Sequence, residues 1–134
     1  MYKRLSNFKR SLLNFESKVL PISKLQLFIA KNNEEQTRGL IGVDKEEFSD
    51  NSILLFTNVN GGVYFHMKGV KFPIEIMFLD KNFNIIEKYE LKPEIGLVKS
   101  PENTCYAIEA NVGFSDNIIK DKFLLELKKA LRNG

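Results

Sequence analysis

Two strand-like runs joined through Asn60-Gly61-Gly62 constrain this chain more than any other feature. Residues 53–56 (Ile-Leu-Leu-Phe) and 63–65 (Val-Tyr-Phe) are β-prone. Asparagine and glycine tolerate the positive φ that tight turns require, so the segment reads as a β-hairpin. Pro73 introduces another strand over 74–79, residues 80–84 make a turn and 85–91 return, a second hairpin. Residues 93–103, with Gly96 and Pro101, read as a surface loop leading into a strand over 104–112. Nearer the start, Leu25, Leu27 and Ile29 alternate with Lys24, Gln26 and Phe28, which makes a first strand. Asn32 or Asn33 can then cap a short helix that opens on Glu34 and Glu35, runs to about Leu40 and stops near Gly42.

Both ends change to a helical period. Leu5, Phe8, Leu12, Phe15 and Val19 recur in steps of three and four with Lys and Arg between them, an amphipathic helix that Pro21 terminates. Ile119, Phe123, Leu127 and Leu131 share one face of a closing helix, with Leu124 beside them and Lys120, Lys122, Lys128 and Lys129 on the polar face. The expected organisation is a basic helical extension over 1–21, a β-rich domain over 22–114 and a basic helix over 115–134. At 134 residues and 43% hydrophobic content the chain has material for one core, so the helices read as extensions of one α+β, mainly β, domain.

Several function classes lose support at this level. The net charge of +3 resides in the two ends, which leaves the middle mildly acidic and disfavours a nucleic-acid reader. Charged residues interrupt every apolar run, and Leu12 and Leu13 are too short a run for a signal peptide, so a cytoplasmic location is expected. The abundance of Lys, Asn and Ile suits a low-GC bacterium or its phage, in which case the virion is the alternative location. Cys105 is the only cysteine and His66 the only histidine, which excludes an intramolecular disulfide and gives no metal-ligand spacing. Gly61 and Gly62 open no phosphate loop, and no serine lies in a nucleophile-elbow turn. Neither a metal nor another cofactor is expected.

Strand alternation places two carboxylates in apolar company. Glu75 shares a face with Met77 and Leu79, and Glu109 shares one with Ala107 and Asn111. A buried carboxylate needs a cation, hydrogen-bond donors or a cavity open to water, and Arg38, Lys68 and His66 are candidate partners. Two readings follow. Glu75, Glu109 and His66 converge in a cleft as catalytic candidates for acid/base work, or the carboxylates pair with Arg38 or loop amides and fix the fold.

The order of short motifs resembles the family catalogued as domain of unknown function 192. Glu34, Glu35, Thr37, Arg38, Gly39 and Leu40 are similar to its helix ending in Arg-Gly-Leu, and residues 53–56 to its next strand. Phe65, His66, Met67 and Lys68 match its Phe-Trp-Met-Lys segment, and residues 72–80 its Ile-Pro-Leu-Asp-Ile-x-Phe-Leu-Asp strand. Residues 106–114 follow its Tyr-x-Leu-Glu-Val-Asn-x-Gly-Phe ending. The resemblance implies a small, partly closed antiparallel β-barrel-like domain with a short helix after the first strand, and no established reaction. His66 stands where the family has Trp, Gly69 where it has Asn, and Glu75 where it has Asp.

Three functions remain open. In the first, a non-enzymatic binding or assembly protein, the stripe Leu5, Phe8, Leu12, Phe15 and Val19 contacts a protein partner or a second copy, a phage virion accessory protein being one form. In the second, a small-molecule or glycan-binding domain or hydrolase, the ligand meets Arg38, Tyr64, His66, Lys68, Glu75, Glu109 and Asn111. In the third, the basic helices attach to anionic membranes or nucleic acid.

Overall fold

The computed structural model describes residues 12–133. After a 3-10 turn at Leu12–Asn14 come β1 (Glu16–Val19), β2 (Gln26–Ala30), α1 (Asn33–Arg38), β3 (Ser52–Phe56) and β4 (Tyr64–His66). They are followed by β5 (Ile74–Leu79), β6 (Ile85–Leu91), β7 (Leu97–Lys99), β8 (Tyr106–Asn111) and α2 (Lys120–Asn133). Six strands form a mixed sheet in the order β1-β2-β3-β8-β5-β6, and β4 and β7 pair as a separate ribbon. Among the described strands only β2 and β3 pair in parallel, so the chain between them must cross over, and α1 lies in that crossover.

Every residue of β3 and β5 is buried, because the sheet is covered on both faces. Phe28, Leu54, Phe56, Ile76, Phe78 and Ala107 pack on one face, with Phe65 of the ribbon against them. On the opposite face Leu27, Ile53, Leu55, Met77 and Ile108 meet Phe123 and Leu127 of α2. Glu126 anchors that helix further: its carboxylate accepts from the Ile22 N–H and, at 3.1 Å, from the Ser23 N–H of the β1–β2 turn. Burial would raise the Glu126 pKa, but the Ser23 hydroxyl and these two N–H groups outweigh it and leave it lowered.

The molecule is mainly β with a C-terminal helix, and three expectations are corrected. Among the described residues the sheet keeps free edges at β1 and β6 and does not close into a barrel. Residues 53–56 and 63–65 are not a hairpin: β3 is an interior strand between β2 and β8, whereas β4 joins β7 from within the segment expected to be loop. Two-sided burial separates them, since β3 is buried throughout and β4 is exposed at Tyr64 and His66. The expected N-terminal helix is, from Leu12 onward, a 3-10 turn and an edge strand. Leu12 and Phe15 take part in the core instead of presenting a partner interface, and Val19 is exposed. Leu5 and Phe8 lie outside the described residues.

Candidate ligand-binding site

A cleft of about 440 Å³ opens between the C-terminal end of α1 and β4. Arg38, Phe56, Tyr64, His66 and Glu109 line it, drawn from α1, β3, β4 and β8. Local chemistry sets each wall. Asn32 caps α1 by accepting from the Glu35 N–H at 2.9 Å, and Gln36 donates to the Ala30 and Thr57 carbonyls at the ends of β2 and β3. The helix is thereby fixed to the sheet. Gly39 then turns the chain at φ +47°, a conformation that L side chains rarely adopt, and Arg38 is left at the helix end.

The Arg38 guanidinium carbon lies 4.3 Å from the centroid of the Phe15 ring. That stacking holds the cation over an aromatic face supplied by the segment before β1. Its Nε and Nη2 are buried and meet no hydrogen-bond acceptor among the described residues. Such orphan donors are costly, each on the order of 1–3 kcal/mol. Glu109 is 7% exposed and lines the same cleft. No cation or donor among the described residues pairs with it, and burial pushes its carboxyl up to about 8. Glu109 is therefore largely a neutral acid at neutral pH, able both to donate and to accept a hydrogen bond.

The site residues expected from the sequence divide into groups. Arg38, Tyr64, His66 and Glu109 come together at the cleft. Glu75 does not, because Glu109 is registered against Ile76, and neighbours along a strand point to opposite faces. The expected convergence of Glu75 with Glu109 and His66 is overturned by that register. Glu75 accepts instead from the Gly113 N–H at 3.0 Å and the Ser115 N–H at 2.8 Å, holding the turn after β8. Asn111 is buried and donates to the Phe48 carbonyl at 2.8 Å, which ties down the β2–β3 crossover. Lys68 is exposed and does not line the cleft. His66 is exposed, and its Nδ1 accepts from the Lys68 N–H at 3.2 Å.

Phe15 and Gln36 were not expected to shape the site. The Phe15 signal was absorbed by the helical period of the N-terminal segment, and Gln36 acts through long-range carbonyls that no local pattern reveals. Gly69, at φ +85°, explains one departure from the family pattern: glycine and asparagine both tolerate that left-handed conformation. Among the described residues no group of His, Cys, Asp and Glu side chains is arranged to hold a metal ion, and no helix is long and apolar enough to cross a membrane.

The family model for domain of unknown function 192, described as "Uncharacterized ACR", matches residues 16–121. The chain belongs to this family. Two solved structures share the fold of this domain of unknown function 192 protein. A protein of unknown function from Novosphingobium aromaticivorans is 20% identical with a TM-score of 0.59, over 81% of this chain and 89% of that one. A candidate transcription regulator from Sinorhizobium meliloti is also 20% identical, with a TM-score of 0.60 over 69% of this chain and 72% of that one. No functionally curated protein matches the sequence.

Proposed function

We propose that this domain of unknown function 192 protein binds a small carboxylate-bearing ligand in the cleft between α1 and β4. The observation that carries the proposal is one concave space lined both by Glu109, a buried acid, and by Arg38, whose Nε and Nη2 are buried, neither side chain having a hydrogen-bond partner for these groups among the described residues. Its volume of about 440 Å³ falls in the range of small-ligand sites. A guanidinium stacked on an aromatic ring is suited to a planar carboxylate. Glu109 would repel such an anion if ionised, but as a neutral acid it can share a hydrogen bond with the ligand instead.

Binding is favoured over hydrolysis. His66 already accepts a backbone hydrogen bond, and Glu75, the other acid/base candidate, is engaged by two N–H groups on the far side of the sheet. The assembly role rested on the stripe from Leu5 to Val19, and the burial of Leu12 and Phe15 in the protein's own core weakens its motivation. A thermal-shift panel of acetate, benzoate and succinate tests the binding role. Stabilisation of the parent protein that is lost in Arg38→Ala supports it, and equal shifts in both proteins, or none in either, overturn it.

A further inference from the structure

The backbone of β4 adds a second kind of recognition to the cleft. Ser100 N–H donates to the Val63 carbonyl at 2.8 Å and Met67 N–H to the Gly96 carbonyl at 2.9 Å, so residues 63, 65 and 67 make the closely bonded pairs with β7. Tyr64 and His66, opposite Lys99 and Leu97, then occupy the alternate positions, whose N–H and C=O groups point away from β7. Both residues line the cleft. No backbone hydrogen bond from either N–H is formed among the described residues outside the ribbon. Among the described residues the result is an open strand edge beside an acid without a partner and a cation.

We infer that the cleft takes a short extended peptide, which adds as a strand along the outer edge of β4 and sets its C-terminal carboxylate on Arg38. The inference rests on the binding role proposed above and names its ligand class. An added strand can exchange hydrogen bonds with the N–H and C=O of Tyr64 and His66 on a two-residue repeat, which a peptide backbone supplies and a simple organic acid does not. β4 spans three residues, so the paired part of the ligand is roughly 10 Å long, on the order of three residues. Side chains opposite Tyr64 and His66 share their outward face. The residue between them shares the inward face of Phe65, whose ring packs 5.3 Å from that of Phe56. Its side chain is directed to the floor of the cleft, where Glu109 selects a group that can hydrogen-bond.

The test is an NMR titration of the ¹⁵N-labelled full chain with three probes: a pool of mixed-sequence tripeptides with free C-termini, the same pool amidated, and benzoate. The free-acid pool should slow hydrogen exchange at Tyr64 and His66 by roughly tenfold or more, and amidation should weaken binding by roughly tenfold or more, as expected for loss of charge-assisted hydrogen bonds. If benzoate perturbs Arg38 and Phe15 while no tripeptide protects Tyr64 or His66, the peptide inference fails and the carboxylate site stands. Equal binding of both pools overturns the assignment of the terminal carboxylate to Arg38. If no probe perturbs the cleft, the peptide inference and the binding role fail together.

Discussion

Glu75 and Glu109 stand one register position apart on the paired strands β5 and β8 and face opposite sides of the sheet. One acid holds a turn with two backbone hydrogen bonds, and the other lies in a cleft with no partner among the described residues. Their substitutions should therefore have opposite effects on stability.

Glu109→Gln should stabilise the protein at and above neutral pH. Burial raises the Glu109 pKa from 4.5 to about 8, so over that interval the folded state retains a proton that the unfolded state has lost. Its contribution is fully present below about 4.5 and is lost as pH rises through about 8, with a limiting slope of about 1.4 kcal/mol per pH unit. Urea unfolding of both proteins between pH 5 and pH 9 checks this. The parent should weaken across the range more steeply than the variant.

Glu75→Gln should destabilise. A glutamine offers one acceptor oxygen where the Gly113 and Ser115 N–H groups need two, and its amide would meet one donor with another. A loss on the order of 1–3 kcal/mol follows, read as a lower urea midpoint. Binding of carboxylates by the molecules that remain folded should be unchanged, because Glu75 faces α2 rather than the cleft.

Much of this arrangement was legible in the sequence, and the failures have identifiable causes. The β5–β6 hairpin and the C-terminal helix follow from turn residues and apolar period, and the faces of Glu75 and Glu109 follow from alternation. Alternation within a strand carries no information about register between strands, which is what separates the two acids. The apolar spacing from Leu12 to Val19 fits a helix, yet Leu12 and Phe15 need only one 3-10 turn to reach the core. Edge pairing with β2 then takes residues 16–19. The cleft itself was unreadable because its walls meet through β3–β8 pairing and the β4–β7 ribbon, both long-range.

Phe15→Leu should weaken carboxylate binding more than its effect on stability would suggest. The substitution keeps an apolar side chain in the core but removes the aromatic face beneath Arg38. Loss of a cation–π contact of about 0.5–2 kcal/mol would let the guanidinium leave its position. Calorimetric titration with benzoate checks this, and the expected result is a severalfold rise in Kd with the fold retained.

Glu126→Ala should detach α2 from the β1–β2 turn. The Ile22 and Ser23 N–H groups lose their acceptor, at a cost on the order of 1–3 kcal/mol. Hydrogen exchange should accelerate in the turn and in α2 before it does so in β3 or β5, which lie deeper in the sheet.

The most direct measurement of the central claim follows the guanidinium N–H signals of Arg38 by ¹⁵N-edited NMR during titration with benzoate at neutral pH. A carboxylate seated on Arg38 should shift these signals saturably and protect them from exchange, while the signals of Glu126 and its turn stay fixed. Arg38 signals that do not move up to saturating benzoate would contradict the account.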